Sequence, residues 1–395
     1  MTSPSADSPL ADGTRAAHAG LPEPVVGEPF LPGPVFAAPY HLDPVTGPGE
    51  NGYARAEQPT RRHLEEAIGS LEGGRALVFA SGQAAVTAAI LSVVRAGDRV
   101  ALPGDGYFPV RAFARDQLAA LGVSSVLVPT AGPYPDLSGL RLLLLETPAN
   151  PGLDVADIRA LAGAAHAAGA LLAVDNTAAT PLGQNPLALG ADLVVASGTK
   201  ALTGHSDLLL GYVATNDPAL FDALSAWRTI TGGVPGAFDC WLAHRSIATL
   251  DLRLARQTAN AAAVAELLSS RADVDGVRWP GLPSDPSYPV ASRQMRRIPG
   301  IVAFDLGSAE RVARFLTTSR LVFAATSFGG VHTTADRRAQ FGDDTPPGFV
   351  RFSCGIEDTA DLIADLTAAL DASLLPPSSA PSPSSSSSPS PESSR

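Results

Sequence analysis

From residue 53 onward the apolar positions follow a repeating plan. A short continuous apolar run gives way to a small polar turn, and then to a longer stretch with apolar residues three and four apart. RRHLEEAIGSLEG has Leu64, Ile68 and Leu71 at helical spacing, Thr60 ahead of it as a cap, and Gly73-Gly74 to end it. ALVFA (76–80) reads as a strand, and Ser81-Gly82-Gln83 leads from it into a helix, AAVTAAILSVVRAG. RVALPG, VSSVLVP and LRLLLLE read as further strands, the last ending at Glu146 before the helix DVADIRALAGAAHAAG. Two more runs, 171–174 and 193–196, read as strands buried on both faces. Strands alternating with helices predict an α/β fold with a largely parallel sheet. After Tyr212 the pattern predicts a long helical region. From about residue 275 it predicts a smaller α+β domain: strands in GVRWPGL, GIVAFDLGS, RLVFAATSFGG and GFVRFSCGIED, helices at 309–318 and 358–371.

The flanks break this plan. Residues 1–12 are small and polar and read as a disordered tail. Residues 13–52 are proline- and glycine-rich but carry recurring apolar residues such as Leu31, Val35, Phe36 and Tyr40, which reads as an ordered arm, neither helix nor regular strand, lying on another surface. Residues 376–395 form a Pro/Ser tail with no means of making a core. The expected domains are therefore 53–235 and 236–375, the second including a linking helix.

Composition narrows the function class. A 395-residue chain that is 45% hydrophobic can build a sizeable core. A net charge of −11 argues against a nucleic-acid partner. The two cysteines, Cys240 and Cys354, have neither disulfide-framework nor metal spacing. No run is long enough to span a membrane, and the N-terminus lacks the basic and apolar regions of a secretory signal, so a cytoplasmic protein without metal is expected.

The candidate chemistry lies in LLAVDNTAATPLGQNPLALGADLVVASGTKALTGHSDLLLGY. One strand ends on Asp175. The next runs into Ser197, Gly198, Thr199 and Lys200. Open α/β sheets bind ligands beyond the carboxyl ends of their strands. There a lysine can form a Schiff base, an aspartate can keep a pyridine nitrogen protonated, and Ser and Thr hydroxyls can hold a phosphate, which together suit pyridoxal 5′-phosphate (PLP). Alone, either charge reads as a cap or a solvated surface group. The turn at Ser81-Gly82-Gln83 adds a helix N-terminus suited to an anion, and Tyr107, just past a strand end, can stack on a flat ring.

SGTKALTGHSDLLLGY, VDNTAATPLGQNPLALGADLVV, ETPANPGLDVADI, FASGQAAVTAAI and VRFSCGIEDTADLIADL together resemble, in order, the signatures of the Cys/Met-metabolism family of PLP-dependent enzymes. The resemblance runs from about residue 14 to residue 374. It implies the aspartate aminotransferase-like fold (fold type I), with a mostly parallel sheet in the large domain and a smaller C-terminal domain. It also implies a homotetramer built from two tight dimers that share active sites. By the same resemblance Lys200 is the covalent anchor and proton carrier, Asp175 the partner of the pyridine nitrogen, and Tyr107 the ring-stacking catalytic tyrosine. Gly82, Gln83, Ser197 and Thr199 hold the phosphate, Thr177 joins the cofactor set, and Tyr53 and Arg55 reach the phosphate of the neighbouring subunit. Asn150 lies near the cofactor's phenolic oxygen. Arg351 and Ser327, with Asn150 and Tyr53, hold the amino-acid substrate. His205 and Asp207 shape the loop behind the lysine, Glu146 has a structural role in its turn, and Cys354 is packed. His63, His166 and His244 show no visible partner.

The implied activity is trans-sulfuration: first, cystathionine γ-lyase chemistry on L-cystathionine. Alternatives are γ-replacement, as by cystathionine γ-synthase or an O-acylhomoserine sulfhydrylase, methionine γ-lyase chemistry, and a catalytically silent scaffold. The departures from the family pattern fall on the substrate side. They are Phe108-Pro109-Val110-Arg111-Ala112 after Tyr107, Gln58 before Pro59-Thr60, Thr326 in place of an acidic residue, and His332 in place of Glu.

Overall fold

The computed structural model describes residues 10–374, so both terminal tails fall, wholly or for the most part, outside the described residues. The arm opens with a helix where none was expected, α1 (Asp12–His18), whose Arg15 donates to the Ser70 and Leu71 carbonyls. Next come α2 (Pro59–Glu72), β1 (Arg75–Phe79), α3 (Gly82–Leu91), β2 (Arg99–Pro103) and the short α4 (Phe108–Phe113). β3 (Ser124–Val128), β4 (Leu142–Glu146), α5 (Ile158–Ala167), β5 (Leu171–Asp175), α6 (Thr180–Gly183), β6 (Leu193–Ser197) and β7 (Gly211–Thr215) complete the first sheet region.

This seven-stranded sheet has the order β1-β7-β6-β5-β4-β2-β3. All its neighbours pair in parallel except β7, which runs antiparallel to both β1 and β6. The continuous apolar runs are central here. β4 is buried at every position, and Leu142, Leu143, Leu172, Val194 and Val195 are fully inaccessible. Helices cover both faces, which is why these strands do not alternate with polar residues. Each such side chain contributes about 1.5–3 kcal/mol relative to exposure.

The region after Tyr212 is corrected in part. Residues 211–215 pair as strand β7, and helix begins only at α7 (Pro218–Thr231), followed by α8 (Ala237–Ile247) and α9 (Leu250–Ser269). The N-cap of α2 is also not Thr60. Gln58 accepts from Arg61 N at 2.7 Å, while the Thr60 hydroxyl accepts from Val35 N at 3.0 Å and so ties down the arm. Such a cap contributes about 1 kcal/mol.

The second sheet belongs to the C-terminal part. It is built from β8 (Asp275–Arg278), then, past α10 (Tyr288–Gln294), β9 (Ile301–Asp305), and past α11 (Ala309–Thr318), β10 (Phe323–Ala324), β11 (Thr334–Arg337) and β12 (Phe349–Ser353). The helix α12 (Thr359–Leu374) closes the fold. The strand order is β10-β11-β12-β9-β8, antiparallel except for β10 with β11. Its core joins Phe304, Phe315 and Phe352 to Leu362, Leu366 and Leu370 of α12.

Candidate active site

β4, β5 and β6 end side by side, on Glu146, Asp175 and Ser197. Their carboxyl ends open into a cavity of about 410 Å³. Ser81, Gly82, Gln83, Tyr107, Asn150, Asp175, Thr177, Ser197, Thr199, Lys200, Ser327 and Arg351 line it, so one cavity gathers residues separated by up to 270 positions in the chain. Tyr53 and Arg55 are not among its lining residues. They are exposed, with the Arg55 guanidinium 5.5 Å from the Tyr53 ring centre.

Asp175 is fixed by its own strand end. Its carboxylate accepts from the backbone N–H and the hydroxyl of Thr177, and Thr177 Oγ1 in turn accepts from Ser197 N at 2.8 Å. Glu146 stands opposite it in the strand register. Glu146 accepts from Tyr107 N at 2.6 Å and Asn150 N at 2.9 Å, and so holds in place the loops that carry both residues. Burial, reinforced by the Asp175 charge, pushes the Glu146 carboxyl up to about 8; burial also raises Asp175, against its hydrogen bonds from Thr177 and the charge of Lys200. Two adjacent buried carboxyls thus face the cavity, and a cationic ring nitrogen beside Asp175 would offset that cost.

Lys200 is held in the turn after β6. The Thr199 hydroxyl accepts from Leu210 N at 2.9 Å and donates to Leu210 O at 3.2 Å, binding this turn to the segment before β7. Thr199 therefore lines the cavity with a hydroxyl already engaged by the backbone. Burial lowers the Lys200 pKa, helped by the Arg351 charge and opposed by Asp175, which favours the neutral, nucleophilic amine. The ammonium lies 5.7 Å from the Phe328 ring centre. Lys200 is also the only lysine in the chain; every other member of the Lys+Arg count is arginine. That signal was available in the sequence and strengthens the reading of Lys200.

The anion end is at α3. Ser81 caps the helix by accepting from Ala84 N at 3.1 Å, while the N–H groups of Gly82 and Gln83 donate to no group of the described chain. A Cβ on Gly82 would meet the Ser197 Cβ at 2.6 Å, so glycine is required for α3 to come this close to β6. Gln83 Oε1 is buried there without a partner among the described residues. Free N–H groups, the Ser197 hydroxyl and the helix dipole fit a phosphate. Asp175 fits a protonated ring nitrogen, Lys200 an aldehyde carbon, and the half-exposed Tyr107 a ring face. The residues present fit PLP.

Arg351 marks the other end. It donates to Asn150 Oδ1 at 2.6 Å, Ser327 O at 3.1 Å and Asp336 Oδ2 at 2.8 Å. Burial brings its pKa down to about 10, so it stays charged through the physiological range. Ser327 adopts φ +78°, a left-handed conformation uncommon for a side-chain-bearing residue. Sequence reasoning missed Asp336, Arg338 and Phe341. Arg338 and Phe341 line the cavity, and Asp336 lies behind Arg351. No periodicity singles them out, because β11 pairing with β12 brings them there.

The remaining expectations fare unequally. His205 Nδ1 lies 2.6 Å from Thr203 O, which suits a loop-shaping role, and Cys354 is fully buried in the second core. His166 and His244 do have partners, contrary to the sequence reading. His166 meets Asp192 at 3.0 Å and His244 meets the Ala19 carbonyl at 2.7 Å; folding supplies both from distant segments.

The model of the family described as Cys/Met metabolism PLP-dependent enzyme matches residues 40–371. The chain is 56% identical to a Streptomyces coelicolor protein named "Putative cystathionine gamma-lyase", over 93% of this chain and 95% of that one. Among solved structures it is similar to cystathionine gamma synthase from Xanthomonas oryzae pv. oryzae, solved in complex with aminoacrylate and cysteine. That match has 32% identity, a TM-score of 0.87, and coverage of 93% of this chain and 99% of that one. It is likewise similar to a methionine gamma lyase from Micromonospora echinospora, at 38% identity and a TM-score of 0.85, covering 91% of this chain and 99% of that one.

Proposed function

Because the chain belongs to the Cys/Met metabolism PLP-dependent enzymes, we propose that it is a carbon–sulfur lyase acting on L-cystathionine. The products are L-cysteine, 2-oxobutanoate and ammonia, with one water consumed. The observation that carries this reading is that Lys200, Asp175 and Arg351 line one cavity. The 56% identity to the Streptomyces coelicolor protein supports elimination.

Gly82, Gln83 and Ser197 would bind the phosphate, Asp175 the ring nitrogen, and Lys200 would attach covalently through its ε-amine. When bound, PLP supplies an electron sink for negative charge at the substrate's α-carbon. The protein does the rest. Arg351 takes the α-carboxylate through two parallel hydrogen bonds. Asn150 accepts from this guanidinium through Oδ1 and would lie near the cofactor's phenolic oxygen. The Lys200 amine, whose pKa burial lowers, would remove the α-proton and then move protons between neighbouring carbons as the sulfur leaves. Thr177 keeps the Asp175 carboxylate aimed, and Glu146 fixes the loop that carries Tyr107, whose ring would stack on the cofactor.

The same reading takes 53–235 as the cofactor domain, 236–375 as the smaller one, and the assembly as a homotetramer of two dimers. Val26, Phe30, Phe36 and Val45 of the arm are exposed, which suits contact with another subunit, and Tyr53 and Arg55 then complete the partner's phosphate site. No helix of the described residues is long and apolar enough to cross a membrane, and we place the enzyme in the cytoplasm.

Similarity to a cystathionine gamma synthase favours γ-replacement as a second reading. A steady-state panel separates the two. It measures keto-acid release from cystathionine, homocysteine, methionine and cysteine, and product formation from O-acylhomoserine with cysteine or sulfide. Rapid 2-oxobutanoate release from cystathionine is expected. Efficient replacement without it would overturn the lyase assignment.

A further inference from the structure

Two polar side chains of α9 are buried one helical turn apart, and the mechanism above leaves both unused. Arg253 is 4% exposed and Gln257 1%. Four residues apart on a helix, they share a face. Arg253 donates throughout to oxygens of the chain: Nη1 to Ala201 O at 2.7 Å, Nη2 to Leu202 O and Ser246 O at 3.0 Å each, and Nε to Thr249 Oγ1 at 3.3 Å. Among the described residues no carboxylate pairs with it, and burial lowers its pKa to about 10, so it stays charged at neutral pH. A buried cation without a counter-ion is costly. Here three carbonyls offset that cost, and two of them belong to the residues directly after Lys200. The same turn closes where Gly204 N donates to Lys200 O at 2.8 Å.

Gln257 holds the loop of Ser327. Its Nε2 donates to Gly330 O at 2.8 Å and to Gly329 O at 3.3 Å. β12 holds the same loop: Gly329 N donates to Ser353 Oγ at 2.8 Å, and Arg351 donates to Ser327 O at 3.1 Å. The lysine turn and this loop touch, since a Cβ on Gly329 would lie 2.6 Å from Ala201 N. Phe328, in the same loop, has its ring centre 5.7 Å from Lys200 Nζ and 5.3 Å from Arg351 Cζ. One face of α9 therefore fixes both the turn behind the cofactor lysine and the loop beside the carboxylate-binding arginine.

We propose that Arg253 and Gln257 are positioning residues that set the separation of Lys200 from Arg351, and so bring a substrate's α-hydrogen within reach of the lysine while Arg351 holds its carboxylate. This rests on the roles proposed above for Lys200 and Arg351. Of the two loops, Arg253 holds only the lysine's and Gln257 only that of Ser327. Loss of Arg253 therefore misplaces the amine and spares the carboxylate site, whereas loss of Gln257 loosens substrate binding first. A shift of about 1 Å in a reacting group can slow a reaction by about 100-fold.

The test compares wild-type holoenzyme with Arg253→Lys and Gln257→Met. Exchange of the α-hydrogen of L-methionine in D2O, followed by NMR, reads proton transfer at that carbon whatever becomes of the sulfur. Kd for L-methionine is read from the change in cofactor absorption, and folding from the thermal midpoint. Lysine keeps the charge but not the planar fork that reaches three carbonyls. Arg253→Lys is expected to slow exchange at saturating methionine by roughly 10- to 100-fold, with Kd within about 3-fold of wild type. Gln257→Met, of similar length, should raise Kd by roughly 5- to 10-fold while saturating exchange stays within about 3-fold, and it decides the matter alone should the Arg253 variant not fold. Variants that lower the thermal midpoint but keep wild-type exchange and Kd would overturn the proposal, because the two side chains would then serve the fold alone. So would variants that weaken exchange and binding together. Exchange that survives in Lys200→Ala would sink the role given to Lys200 and the proposal with it; the first two failures leave exchange dependent on Lys200.

Discussion

Replacing Arg351 by Gln tests the proximal end of the site. Arg351 is 4% exposed and uses three of its five N–H donors on Asn150, Ser327 and Asp336. Its buried guanidinium remains charged at neutral pH, so it offers a substrate carboxylate two charge-assisted hydrogen bonds, each about 1.5–3 kcal/mol. Removing the charge should cost about 3–4 kcal/mol of substrate binding, or about 100- to 1000-fold in Kd. The fold should survive, because Asp336 keeps its pairing with Arg338; the loss of donors to Asn150 Oδ1 and Ser327 O adds a folding cost of about 1–3 kcal/mol. The assay titrates holoenzyme with L-methionine and L-methioninamide, which differ only in the carboxylate, and follows the cofactor's absorption. Wild type should prefer the acid strongly, and Arg351→Gln should bind the two alike. A variant that keeps the wild-type preference would refute the assignment, since the carboxylate would then be held elsewhere.

Two further changes probe the scaffold. Gly82→Ala forces a Cβ to 2.6 Å from that of Ser197, so PLP affinity should fall at least 10-fold with the fold retained, checked by equilibrium dialysis; unchanged affinity would mean that this close approach is not part of the phosphate site. Glu72 is fully buried, accepts from the Tyr212 hydroxyl at 2.6 Å, and is raised by burial from 4.5 to about 7. The folded chain therefore keeps a proton that the unfolded chain loses. The resulting stability is complete below pH 4.5 and is lost as pH rises to 7, by up to about 3 kcal/mol. Glu72→Gln, which mimics the protonated form, should match wild type near pH 4.5 in denaturant melts and exceed it at pH 8. A difference that does not vary with pH would contradict this.

Much of this site could be read from the chain because it hangs on local order. Asp175 and Ser197 end apolar runs that can only be buried strands, and Lys200 follows three residues later. Gly82 and Gln83 open a helix directly after a strand. What escaped depends on pairing between distant segments. Residues 211–215 are as apolar as the helix that follows them, and only antiparallel pairing with β1 and β6 makes them a strand. Thr60 looks like a cap, but the arm's Val35 claims its hydroxyl and leaves the cap to Gln58. Asp336, Arg338 and Asp343 look like solvated charges in ADRRAQFGDD. The register of β11 on β12 places Asp336 opposite Arg351 and so draws the whole ion network inward.

The central claim is that Lys200 carries the cofactor, and the composition makes it directly measurable. Lys200 is the only lysine of the chain, so borohydride, which fixes the cofactor to whichever amine holds it, has one ε-amine on which to act. Intact-mass analysis of reduced holoenzyme should show one cofactor adduct per chain, digestion should place it on the peptide containing Ser197 to Lys200, and Lys200→Ala should abolish it. An absent adduct, or one found on the amino-terminal amine, would contradict the account.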